Sequence, residues 1–148
     1  MTRNTDPVVK ALEQALADTF TLALKTQNYH WNVVGPNFFG LHNLFEEQYT
    51  DAFGAVDELA ERIRALGAPA PGGLRAFQEI SKIADAQDGI DAKAMIDDLA
   101  ASNEAIGATL KAGIEAAGNA GDDATADLLT GRLAIHDKAA WMLRSLRG

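Results

Sequence analysis

His30 lies five residues before Gly35, and His42 lies six after Pro36. Glycine readily ends a helix, and the residue before a proline avoids the helical region, so Gly35-Pro36 predicts a tight reversal between two antiparallel helices. The two histidines then stand at about the same height on neighbouring helices and face one site.

The helix after the turn carries His42, Glu46, Asp57 and Glu61 at i, i+4, i+15 and i+19. At roughly 100° per residue they fall within about a 100° sector, so they share one side of one helix. At ~1.5 Å per residue, however, His42 and Asp57 are roughly 22 Å apart along the axis, whereas ligands of one metal lie only ~2 Å from it. One chain cannot close the site. An antiparallel two-fold pair of this helix brings the His42/Glu46 end of one subunit to the Asp57/Glu61 end of the other and makes two identical sites, so the spacing asks for a homodimer. Two imidazoles with about three carboxylates suit iron, manganese or zinc rather than copper(I).

Taken singly, each residue has an ordinary reading: an inward histidine satisfied in a core, or a pair of acids on a solvated face. Together they resist it. Like charges at i,i+4 cost about 0.2–0.5 kcal/mol, and carboxylates buried at an interface without a cation are pushed toward the neutral form. A bound metal supplies the missing charge.

The rest of the chain reads as helices around this pair. From Pro7, a first-turn proline after Asp6, the residues Val9, Leu12, Leu16, Phe20, Ala23, Gln27 and His30 form one stripe. The second helix, Phe38 to Leu66, has an apolar face of Leu41, Phe45, Ala52, Val56, Leu59 and Ile63 beside the acidic sector. Gly67 and the stretch APAPGG end it, and the next long pattern begins near Asp91. A short helix is expected in this crossover, over Leu74 to Ala84. The third long helix shows Met95, Leu99, Ile106, Leu110 and Ile114; the fourth, after GNAGDD, shows Leu128, Ile135, Ala139, Met142 and Leu146. Two tight turns and one long crossover give the all-α, ferritin-like four-helix topology in a single domain spanning 1–148. Ordinary ferritins hold iron inside the bundle through Glu-x-x-His pairs. Here Gln27, Phe39 and Leu133 stand three before the histidines, which predicts an apolar interior and moves the site to the subunit boundary.

Charge and composition narrow the function. The 148 residues include no Cys, which excludes thiolate metal sites and a disulfide framework, and no apolar run reaches the length of a membrane span. MTRNTDPVVK lacks an apolar signal segment, so a cytoplasmic location is the expectation. The net charge of −8 argues against DNA binding, with only Arg3 and Lys10 near one end and Arg144 and Arg147 near the other.

His30-Trp31-x-Val33-x-Gly35 with Leu41-His42 and Glu46, followed by Val56-Asp57-x-Leu59-Ala60-Glu61-Arg62 and Leu66-Gly67, resembles the Dps-like miniferritins, the DNA-binding proteins from starved cells, within the ferritin-like superfamily. The resemblance covers nearly all of the chain. It implies an inter-subunit ferroxidase centre with two iron positions, built from His30, His42 and Glu46 of one subunit with Asp57 and Glu61 of its partner. Zinc and manganese are possible substitutes. It also implies a dodecamer assembled from two-fold dimers, which oxidises Fe²⁺ with hydrogen peroxide, or more slowly with O₂, and stores ferric mineral. Glu46 departs from the commoner pattern, which has Asp there; the added methylene could move the weaker iron position.

Asp122, Asp123 and Asp127 are helix caps by their position, and the resemblance makes them candidates for an iron-entry pore at three-fold axes. Trp31 reads as a packing residue first, with a role as a local electron donor implied by the resemblance. His136, beside Asp137, reads as a surface residue, and Arg62 as the ion-pair partner of Asp57 or Glu58. Two alternatives stay open: a nucleoid DNA-binding and protecting protein, and a structural helical oligomer whose site is vestigial or filled by zinc.

Overall fold

The computed structural model describes residues 6–148; Arg3, the basic residue nearest the start, lies outside them. Among the described residues there are five helices: α1 (Pro7–Asn32), α2 (Phe38–Ala65), α3 (Leu74–Ile80), α4 (Ala92–Asn119) and α5 (Asp123–Arg147). No strand is present among them, and no helix is long and apolar enough to cross a membrane.

Asp6 starts α1 by accepting from the N–H groups of Val8 and Val9 at 2.8 and 3.1 Å, with Pro7 inside the first turn. The helix ends at Val33, where the backbone turns extended, and Gly35 adopts φ +121°. That value suits glycine, so the reversal depends on the residue as well as on the proline after it. α2 closes differently, on a left-handed glycine directly after its cap: Gly67 takes φ +92° while Ala68 N–H reaches back to the Ile63 carbonyl at 3.3 Å.

The first two stripes hold as expected. Leu12, Leu16, Ala23 and His30 of α1 are buried, as are Leu41, Phe45, Ala52, Leu59 and Ile63 of α2. α1 packs extensively on α2 and α4, and α4 on α5, whereas α2 and α5 hardly touch. At Gly113 an added Cβ would lie 2.8 Å from Leu129 Cδ1, so any larger residue there would push that leucine tip aside.

Four expectations need correction. α3 ends at Ile80, not Ala84, because buried Asp18 accepts the Lys82 N–H at 2.8 Å and Gln14 Nε2 donates to the Ile80 carbonyl at 2.8 Å. These two α1 side chains pull the chain out of helical geometry and pin the crossover to the bundle. On α5 the buried face is Thr125, Leu129, Arg132, His136, Ala140 and Leu143. It lies one residue, about 100°, from the stripe of Leu128, Ile135, Ala139, Met142 and Leu146. Apolar periodicity misplaced the face because three of its members are polar. The interior is therefore not purely apolar: Asp18, Lys25, Asn103, Arg132 and His136 are all buried. Trp31 is 64% exposed, so it does not pack within its own chain.

Candidate metal centre

The turn brings His30 and His42 into ring stacking, with centroids 3.8 Å apart and planes 15° from parallel. Each histidine bonds across to the other's backbone: His30 Nδ1 to the His42 carbonyl and His42 Nδ1 to the His30 carbonyl, both at 2.7 Å. A carbonyl only accepts, so each Nδ1 carries the proton. Both Nε2 atoms then hold a lone pair. A backbone acceptor that fixes the tautomer and ring direction of a histidine is the usual support for a metal ligand. Here each imidazole is oriented by the helix that carries the other.

Glu46, one turn after His42, places Oε1 3.9 Å from His30 Nε2, with its side chain more than half exposed. Tyr49, which the sequence did not single out, stands edge-on to His30 with centroids 5.2 Å apart. Its i+7 spacing from His42 was the available signal. Phe38 stacks on His42 with centroids 5.0 Å apart.

At the opposite end of α2, Asp57 and Glu61 are exposed. A hydrogen bond to Asp57, followed by the Asp57 charge, raises the Glu61 pKa above its ordinary value. Two carboxylates this close also attract a cation between them. They share α2 with His42 and Glu46 but not its end. Among the described residues, no group of three His, Cys, Asp or Glu side chains is placed to hold a metal ion within one chain.

Arg62 pairs with neither Asp57 nor Glu58, contrary to expectation. Its Nη2 bonds Asp122 at 3.0 Å and its Nε bonds Thr125 at 2.9 Å, tying the end of α2 to the start of α5. Asp122 also caps α5 through Thr125, accepting from its N–H at 3.0 Å and its hydroxyl at 2.6 Å. The Thr125 hydroxyl contact, then its amide and Arg62, hold the Asp122 pKa below the ordinary value. Asp122 is thus occupied as a cap, while Asp123 and Asp127 are exposed.

His136 is buried, not superficial. Arg132 forks onto Asp51 at 2.9 and 3.2 Å, and its Nη2 also donates to His136 Nε2 at 3.1 Å. His136 Nδ1–H donates to Asn103 Oδ1 at 2.9 Å, and Asn103 donates to the Leu99 carbonyl at 2.8 Å. Burial and then the Arg132 charge push the His136 pKa down to about 4. Both ring nitrogens are engaged, so this third histidine is no metal ligand. The i,i+4 spacing of Arg132 and His136, in register with Leu129 and Ala140, was the overlooked signal.

A family profile described as Ferritin, ferritin-like domain, matches residues 9–148. The chain is 41% identical over 138 residues to DNA protection during starvation protein 2 of Bacillus anthracis, covering 93% of this chain and 94% of the relative. Its fold is similar to the crystal structure of Dps from Staphylococcus aureus, with TM-score 0.94, 41% identity and 99% of both chains covered. A Dps protein from Vibrio cholerae O1, described as a member of a broad superfamily of ferritin-like diiron-carboxylate proteins, matches with TM-score 0.91 and 32% identity over 95% of this chain and 89% of that one.

Proposed function

Because the chain belongs to the Dps family of ferritin-like proteins, we propose that it is a ferroxidase that takes Fe²⁺ as substrate at sites shared between two copies and stores the ferric product in a dodecameric cage. The observation that carries this reading is the reciprocal clasp of His30 and His42, which engages both Nδ1 atoms with backbone carbonyls and leaves both Nε2 atoms for a ligand. Glu46 adds a carboxylate beside them, and Asp57 and Glu61 of the partner subunit complete the mixed N/O set that suits iron. Exposed carboxylates at both ends of α2 favour the arriving cation, and the charge they supply also stabilises the ferric product.

Hydrogen peroxide is the preferred oxidant in this reading. Two Fe²⁺ ions give one electron each to one peroxide, the O–O bond breaks, and two protons complete two waters. Pairing the electrons at one site avoids the hydroxyl radical that a single Fe²⁺ would release. O₂ serves as a slower oxidant.

The test is anaerobic Fe²⁺ titration of the iron-free protein followed by peroxide, with iron oxidation and particle mass recorded together. The assembled protein should oxidise Fe²⁺ rapidly, and His30→Ala and Asp57→Ala should each lower the initial rate by roughly a hundredfold while preserving the particle. Dissociated and remixed, the two variants should regain activity, because a mixed dimer has one doubly defective site and one intact site. Absence of recovery in verified mixed dimers rejects the shared site.

A further inference from the structure

The crossover between α3 and α4 carries the chain's one Asp-Gly pair, Asp88-Gly89. Both residues are exposed, and they form the tip of a turn in which Gly89 takes φ +70°. An aspartate before glycine is chemically distinctive. The glycine nitrogen has no side chain beside it to shield it, so it can reach the preceding side-chain carboxyl carbon and close a five-membered ring. A Cβ added at Gly89 would meet nothing within 4 Å, so that ring has room. Among the described residues no hydrogen bond or ion pair holds the Asp88 carboxylate, and no backbone acceptor holds the Gly89 N–H.

The neighbouring aspartates lack these conditions. Asp85 and Asp91 each precede an alanine, and Ala86 and Ala92 both pack against the core. Asp91 is also engaged as the cap of α4, accepting from Ala94 N–H at 2.9 Å. Anchors stand on both sides of the tip. Before it, Gln87 N–H donates to Tyr29 Oη at 3.0 Å, and buried Tyr29 donates to Asp98 at 2.6 Å. After it, Ile90 packs on the core and Asp91 starts α4. Asp88-Gly89 is the untied part of a segment fixed at both ends.

We infer that Asp88-Gly89 is a site of spontaneous aspartate isomerisation, and that the isomerised turn frees the crossover from Tyr29. The Gly89 nitrogen attacks Cγ of the Asp88 carboxyl in its neutral form; the N–Cγ bond forms, and the carboxyl hydroxyl leaves with the amide proton as water. Water then adds to the Asp88 main-chain carbonyl carbon of the cyclic imide, whose bond to the Gly89 nitrogen breaks. The chain now runs through Cβ and Cγ, and the former main-chain carbon becomes a free carboxylate. No atom is gained or lost overall, and no oxidant or cofactor is needed. The main-chain path grows by one carbon–carbon bond, about 1.5 Å. That length must be taken up between the two anchors. The single hydrogen bond of Gln87 yields before the combined cap and packing of Ile90 and Asp91. The inference does not rest on the ferroxidase reading.

The experiment ages the intact assembled protein for weeks at neutral pH in water enriched in heavy oxygen, since each ring hydrolysis adds one such atom. Trypsin then releases residues 83–93 as one peptide that contains all three aspartates, and fragmentation locates the label. Heavy oxygen should appear at Asp88 and not at Asp85 or Asp91, and the aged protein should accept methyl groups from an isoaspartyl methyltransferase. Both signals should be lost in Asp88→Glu, whose larger ring closes slowly. The comparison among the three aspartates needs no variant, so it stands even if Asp88→Glu fails to assemble. By hydrogen exchange, the Gln87 amide should exchange faster in the aged protein than in the fresh one. No label at Asp88, equal label at the three aspartates, or label without methyl acceptance overturns the isomerisation. Unchanged Gln87 exchange in methyl-accepting protein overturns the release from Tyr29.

Discussion

At the scale of single residues, three histidines of one chain show how partners assign roles. His30 and His42 are held as Nδ1–H tautomers by carbonyls, which leaves Nε2 for a ligand. His136 is held neutral by Arg132 on one nitrogen and Asn103 on the other, which leaves nothing. Its depressed pKa has a consequence for stability. The unfolded chain binds the proton near pH 6.5, whereas the folded chain waits until about 4. The stabilisation is therefore complete above about pH 6.5 and is lost as pH falls toward 4, amounting to roughly 3 kcal/mol across that window. Denaturant unfolding of the wild type and His136→Gln at a series of pH values should converge as the pH drops. Curves that stay parallel between pH 7 and 4 would reject the assignment.

Among the elements, the junction of α2 and α5 is built by a helix cap that also takes part in an ion pair. Asp122 caps α5 and at the same time receives Arg62 from α2, so it serves two helices. Replacement by alanine should cost about 1–3 kcal/mol, the sum of a lost cap and a partly buried ion pair. Asp122→Asn keeps much of the cap and loses the charge, so it should fall between alanine and wild type. Asp123→Ala, at an exposed position of the same helix start, should stay within about 0.5 kcal/mol. Thermal unfolding of the four proteins checks the order. Equal losses at Asp122 and Asp123 would show that the ion pair and cap contribute nothing.

For the molecule as a whole, charge and assembly act together. With Asp122 neutralised by Arg62, cation attraction at the start of α5 falls to exposed Asp123 and Asp127. In the proposed cage these acids line the iron-entry route, so Asp123→Asn with Asp127→Asn should slow initial Fe²⁺ oxidation by about tenfold at low ionic strength and less at high salt. The amount oxidised at long times should approach wild type, because the histidine pair is untouched. An unchanged initial rate under entry-limited conditions returns both residues to helix-start roles. The net charge of −8 leads to a further outcome: duplex DNA should not be retarded at neutral pH and about 0.15 M salt. Tight binding without a bridging divalent cation would contradict it.

Periodicity alone fixed the helices of this protein and most of their inward faces, because an apolar stripe at helical spacing has one low-energy use, burial against another helix. The same arithmetic placed His30 and His42 at one height and separated them from Asp57 and Glu61 along α2. Hydrophobicity failed where the buried residues were polar. On α5, Thr125, Arg132 and His136 are inward only because Asp122, Asp51 and Asn103, from other turns and other helices, complete their hydrogen bonds. The end of α3 likewise depends on Asp18 and Gln14, more than sixty residues earlier in the chain. The pairings with Asp51 and Asn103, and those that end α3, join residues far apart in sequence and leave no local trace. A buried polar group becomes favourable only when its partner arrives, and that partner is brought by the packed bundle rather than by neighbours in sequence.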